Sequence, residues 1–175
     1  MLRSIFRHRN IKLLNNRTFS SIERRINSLG YKLPKYKDPT GSYHSVNIID
    51  DIGYISGHLP FDDNGDICKG TINQYISNSE GKKSALLCGL NILSTLKEKV
   101  GLDNIEKIVK LTGFVNTTEG YKSHAFIMDG CSNLFLEVFE ENGIHSRSTI
   151  GVKSLPFNAQ IEVEGIIKLK NKNKK

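Results

Sequence analysis

Gly143-Ile144-His145-Ser146-Arg147-Ser148-Thr149-Ile150-Gly151-Val152, followed by Ile161-Glu162-Val163-Glu164-Gly165-Ile166, is the part of the sequence that decides the fold. Gly143 ends a helical pattern, and the residues after it alternate as a strand does. Successive strand side chains point to opposite faces, so Arg147 and Thr149 share one side and Ser148, Ile150 and Val152 the other. Taking Ile150 and Val152 as core-facing predicts Arg147 on the opposite sheet face, in a cleft or at a subunit interface. The second stretch is a strand whose Glu162 and Glu164 share a face by the same period.

Upstream of Gly143, Cys131, Leu134, Phe135, Val138 and Phe139 recur at i, i+3, i+4, i+7 and i+8, an amphipathic helix. Val109–Asn116 reads as a strand, and Asp103–Ile108 as a short helical link before it. Lys82–Val100 is the longest helix, with Leu86, Leu90, Leu93 and Val100 on one face and Gly101 as its stop. Cys88 and Gly89 within it read as core and close-packing residues. Tyr43–Ile49 and Gly53–Pro60 are two strands, the second closed by its proline, and Ile67–Ile72 is a short third. Between the last two, Asp62-Asp63-Asn64-Gly65-Asp66 has turn composition without the spacing of a calcium loop. Ala159–Leu169 completes the body. The order β-β-β-α-β-α-β-β implies an α+β fold: a mixed sheet of about six strands with two main helices on one face. The other face is left to find a partner, and apolar residues there would drive self-association.

The net charge of +7 points at first to nucleic acid, but its distribution does not. Residues 1–20 hold five basic side chains and 168–175 another five, with no acid in either segment. The body between has fifteen basic against eighteen acidic side chains, a net of −3. A phosphate-tracking protein needs its bases clustered on a folded face, so nucleic acid is not the expected partner. The three cysteines (Cys68, Cys88, Cys131) have no CxxC spacing, which argues against a disulfide framework or zinc ribbon. No apolar run approaches the roughly 20 residues of a membrane span. A reduced, soluble compartment is expected.

The leader, 1–19, is rich in Arg, lacks acids and intersperses Leu2, Ile5, Phe6, Leu13 and Leu14 among the bases. That composition matches an organellar presequence rather than a secretory signal. Arg17-Thr18-Phe19-Ser20 has the form of a matrix-protease cleavage pattern. The expected destination is therefore the mitochondrial matrix; a basic tail on a cytoplasmic protein is the alternative. Ser20-Ser21-Ile22-Glu23 then reads as the capping box of a short helix ending at Gly30, and 31–40 as an irregular connector to a main domain over 41–169. Residues 170–175 read as a solvated Lys/Asn tail.

The catalytic inventory is thin. The five histidines do not pair at ligand spacing, and no HExxH, Walker or GxGxxG pattern occurs, so no metal or nucleotide cofactor is expected. No Gly-x-Ser-x-Gly elbow is present, and no thiol has an evident base beside it. Arg147 remains, suited to a bidentate grip on a carboxylate or phosphate or, equally, to a structural ion pair with Glu162 or another acid. Glu162 and Glu164 are either a solvated outer face or, for Glu162, the holder of a catalytic water.

Several spaced blocks resemble the RidA/YjgF family of imine/enamine deaminases, also called the L-PSP endoribonuclease family. They are Gly41-Ser42-Tyr43, Tyr54-Ile55-Ser56-Gly57-His58-Leu59-Pro60, Val109-Lys110 with Phe114-Val115, and Arg147-Ser148 through Leu155-Pro156 to Ile161-Glu162-Val163-Glu164. The resemblance implies a chorismate-mutase-like fold in a homotrimer whose sheets close an inner barrel, with sites between subunits. It places Arg147 at the carboxylate-clamping position and Glu162 at the water-holding one. Tyr43, Ser56 and Gly57 fall at pocket positions. The implied reaction is hydrolysis of an imine such as 2-aminoacrylate to a keto acid and ammonia, without a cofactor. Thr149 stands where deaminating members often have Cys, His145-Ser146 where Pro-Ala is usual, and the pocket Asn of the second helix has no clear match. These departures mark a distinct subgroup. A non-catalytic module binding small carboxylates, and an endoribonuclease or translation inhibitor, are the competing functions.

Overall fold

The computed structural model describes residues 20–171. The expected leader, 1–19, lies outside the described residues, as does 172–175 of the expected tail.

Ser20 caps helix α1 (Ser21–Ser28) through the expected capping box with Glu23. Asp103 reinforces that helix start, accepting hydrogen bonds from the Ser21 and Ile22 amides at 2.9 and 3.0 Å. Ile26 is buried in the core at 1% exposure, and Arg25 pairs with Glu140. An irregular connector follows, tied down where Ser94 donates to the Pro34 carbonyl at 2.6 Å.

The sheet has five strands: β1 (Val46–Ile49), β2 (Ile52–His58), β3 (Ile105–Asn116), β4 (Ser146–Val152) and β5 (Ile161–Leu169). Their order is β1-β2-β5-β3-β4. The β3–β4 pair is parallel and the others antiparallel, which makes the sheet mixed as expected. Helices α2 (Asn78–Lys99) and α3 (His124–Phe139) lie together on one face. The crossover through α3 is what lets β4 run parallel beside β3.

Two expectations are corrected. The sixth strand, at Ile67–Ile72, contributes only isolated bridges, among them Phe61 to Ile67 and Lys69 to Ala159; Gly70, at φ +119°, breaks the run before a ladder can form. The helical link at Asp103–Ile108 is a single 3-10 turn, Leu102–Asn104, after which β3 begins. Register shifts at Ile105/Lys107 and Ile108/Lys110 put Ile105, Ile108 and Leu111 all in the core. A bulge shifts the alternation by one residue, so three buried positions spaced by three imitate a helix in the sequence.

The core lies between the helices and the covered sheet face, where Leu111, Val115, Ile161, Val163 and Ile167 are fully buried beneath Ile92, Leu93, Leu134 and Phe135. The helices pack closely: a Cβ on Gly130 would run into the Lys82 carbonyl, which is why a glycine sits there. Cys88 and Cys131 are buried and free. The register places Tyr54, Ile166, Thr112, Glu164, Phe114, Glu162, Ser148 and Ile150 together on the opposite face. Nothing within the described chain covers that face, and Tyr54 and Ile150 are 46% and 50% exposed on it.

Candidate functional site

Arg147 lies on the helix side of β4, not on the open face. Its partners fix this: Nη1 donates to Asp129 Oδ1 at 2.7 Å and to Ser132 Oγ at 3.2 Å, both on α3. Thr149 is on the same side, its methyl group against the space above Gly113, and its Oγ1 is buried without a hydrogen-bond partner. Ile150, expected in the core, faces outward. The expected alternation along β4 is present, with its direction inverted. An apolar strand face marks a surface that something covers, but an edge strand does not reveal whether its own chain does so.

The ion-pair reading of Arg147 is thus realised with Asp129 rather than Glu162. Both hydrogen bonds leave through Nη1; Nη2 and Nε donate to nothing among the described residues. Asp129 and Ser132 stand three residues apart on α3, a spacing that puts both on the helix face turned to Arg147.

Glu162 projects from β5 on the open face. Burial, then the charge of neighbouring Glu164, pushes its carboxyl above the ordinary carboxylate range. It has no hydrogen-bond partner among the described residues. A Cβ on Gly57 would overlap Glu162 Oε1, so only a glycine at the β2 bulge leaves room for that carboxylate. Ser56, just before it, donates from Oγ to the His44 carbonyl at 2.7 Å, and its hydroxyl is engaged in holding the turn. Tyr43 and Gly57 line a cleft of about 450 Å³ between the connector, β2 and α2, together with Tyr36, Phe61, Thr95 and His58. His58 donates from Nδ1 to the Ser56 carbonyl at 2.7 Å, and its Nε2 accepts from Thr95 Oγ1 at 2.8 Å. A carbonyl can only accept, which fixes this tautomer. Burial holds its pKa below the ordinary histidine value.

The residues expected to form one site therefore fall into two groups. Tyr43, Ser56, Gly57 and Glu162 gather around the β2–β5 end. Arg147 and Thr149 lie on the opposite face, two strands away across β3.

Across residues 23–168 the chain matches the family model described as "YjgF/chorismate mutase-like, putative endoribonuclease". The chain belongs to the YjgF/RidA family. It is similar to "Protein TCP17" of Trypanosoma cruzi, 34% identical over 148 residues that cover 83% of this chain and 92% of that protein. The solved structure of "a putative endoribonuclease" from Shewanella oneidensis is 30% identical, covers 86% of this chain and all of its own, and superposes with a TM-score of 0.81. A protein of unknown function from Agrobacterium tumefaciens is 33% identical over 85% of this chain and 94% of its own, at a TM-score of 0.78. The α+β arrangement described above is the fold of these YjgF/RidA relatives. Within that YjgF/RidA frame, the residues gathered around Arg147 are Asp129, Ser132 and His145, none of which sequence patterning marks for a site.

Proposed function

We propose that this YjgF/RidA protein hydrolyses reactive imines or enamines, such as 2-aminoacrylate, to 2-keto acids and ammonia, at sites completed between the subunits of a homotrimer. One observation carries the reading. A guanidinium with unused donors and a half-buried carboxylate with unused acceptors lie on opposite faces of one sheet, where no single small ligand can touch both. Two copies packed face to edge would bring the Arg147 of one beside the Glu162 of the next. The uncovered Tyr54, Phe114 and Ile150 supply apolar surface for that contact, consistent with three sheets closing an inner barrel.

In such a seam Nε and Nη2 of Arg147 grip the ligand carboxylate side-on. Glu162 holds a water against the imine carbon and takes its proton as the C–O bond forms. That proton goes to the nitrogen to give the carbinolamine, and Glu162 then passes the hydroxyl proton to the same nitrogen as the carbonyl forms and ammonia leaves. The carbon is already electrophilic, so positioning supplies most of what is needed, and no cofactor enters. Gly57 lies directly against Glu162 and, with Tyr43, lines the neighbouring cleft, while Ser56 fixes the turn.

The test is ammonia and keto-acid release from freshly generated 2-aminoacrylate, with mass determination by light scattering. Arg147→Ala is expected to abolish release while the trimer persists; full activity in that variant would overturn the reading. A carboxylate-binding module without turnover is favoured by one observation, the Asp129 carboxylate already resting on Arg147, and calorimetry with a keto acid in the absence of turnover would reveal it. The Arg-rich, acid-free leader supports import into mitochondria, to be checked by cell fractionation of the full chain.

A further inference from the structure

His145 stands at the entry to β4 with its ring turned toward α3. Its Nδ1 is 2.6 Å from the Gly143 carbonyl oxygen. Since that oxygen only accepts, Nδ1 carries the proton and Nε2 presents its lone pair. Ser132 Oγ lies 3.1 Å from Nε2, so its hydroxyl donates to the imidazole. On its other side the same oxygen accepts from Arg147 Nη1 at 3.2 Å. A nucleophile bonded to a base, the base oriented by a third group, is the geometric signature of an activated hydroxyl. Arg147, whose Nη1 is also paired with Asp129 at 2.7 Å, stands beside the serine oxygen and favours the negative charge that oxygen takes on as its proton leaves. The fold makes this juxtaposition. Ser132 comes from α3 and His145 from the start of β4, and the short Glu140–Gly143 turn doubles the chain back between them.

We propose that Ser132 and His145 form a nucleophile–base pair that accepts the acyl group of small carboxylic esters or thioesters, with Arg147 favouring the deprotonated serine. Ser132 Oγ bonds to the acyl carbon as its proton passes to His145 Nε2. The C–O or C–S bond to the leaving group then breaks, and the imidazolium returns that proton to the departing alkoxide or thiolate. Water repeats the sequence, releasing the carboxylic acid and restoring the serine. The step employs Nη1 of Arg147 and residues of one chain, so it does not depend on the deaminase reading or on a trimer. Burial and the nearby Arg147 charge keep His145 below its ordinary pKa, so the imidazole is in its base form at neutral pH.

The experiment is exposure of the full-length protein to a fluorophosphonate, read by intact mass, fluoride release and peptide mapping. One adduct on Ser132 is expected, absent in Ser132→Ala, with the wild-type labelling rate falling as the pH drops below the histidine range. His145→Gln should slow labelling about 100-fold or more. If that variant does not fold, the wild-type pH profile alone decides between an activated and an ordinary serine. A Ser132 left unmodified, or labelled at a rate indifferent to pH or to His145, overturns the proposal.

Discussion

The two faces of the sheet are built from the same alternation and end in different conditions. Under the helices, Leu111, Val115, Ile161, Val163 and Ile167 are sealed from water. On the other side Tyr54 and Ile150 stay about half exposed, beside the acids of β5. One face is finished by its own chain; the other carries apolar and charged groups together, as surfaces that meet another protein do. A period of two therefore reports that a face is apolar without reporting what covers it. At the edge strand β4 this ambiguity reversed the expected direction of Arg147.

Several measurements would sharpen or break this contrast. Phe135→Ala empties a fully buried position and is expected to cost about 3–5 kcal/mol in denaturant unfolding; a loss below about 1 kcal/mol would mean the covered face is not the core. Ile150→Asp, on the open face, should change the unfolding free energy of the single chain by no more than about 1 kcal/mol, yet break up the trimer proposed above, read by sedimentation. An assembly unchanged by that substitution would remove the open face from any interface.

Acidification sharpens the comparison further. His58 lies on the covered side, and burial lowers its pKa from 6.5. The folded chain binds its proton less readily than the unfolded chain, so the stability this group contributes is complete above about pH 6.5 and is lost as pH falls through that value. Wild type should thus lose Tm between neutral pH and about pH 5.5, and His58→Gln should lose less. Glu162 has the opposite sign. Its raised pKa means that the charged form is disfavoured in the fold, so Glu162→Gln is expected to raise Tm slightly at neutral pH. The gain should disappear once the pH falls below the unfolded carboxylate value.

Much of the fold is legible in the sequence because the long apolar periods of α2 and α3 and the capping box at Ser20 are local signals. What is not legible is set by context. The bulges in β3 turn a strand start into an apparent helix, and the sequence does not mark where a bulge will fall. Ile67–Ile72 has strand composition, but no neighbouring strand runs alongside it. The opening turns of both main helices also escape the apolar pattern, including the Ser77–Glu80 capping box that starts α2 at Asn78. For the site, the family motifs lead to Arg147 and Glu162, which the fold sets on opposite faces. Asp129 and Ser132 stay hidden because their meaning lies in a strand that follows them in the chain and folds back against them.

Helix α1 lends one more consequence. It is an eight-residue brace joined to the body by Ile26 in the core, by Asp103 at its head and by Glu140 against Arg25. A protease trimming the chain just ahead of Ser20 would leave every one of these attachments in place. A cut beyond Ile26 would draw a plug from the core and strip Glu140 of its Arg25 partner in the turn that precedes His145, and would be expected to loosen the chain's entry into β4.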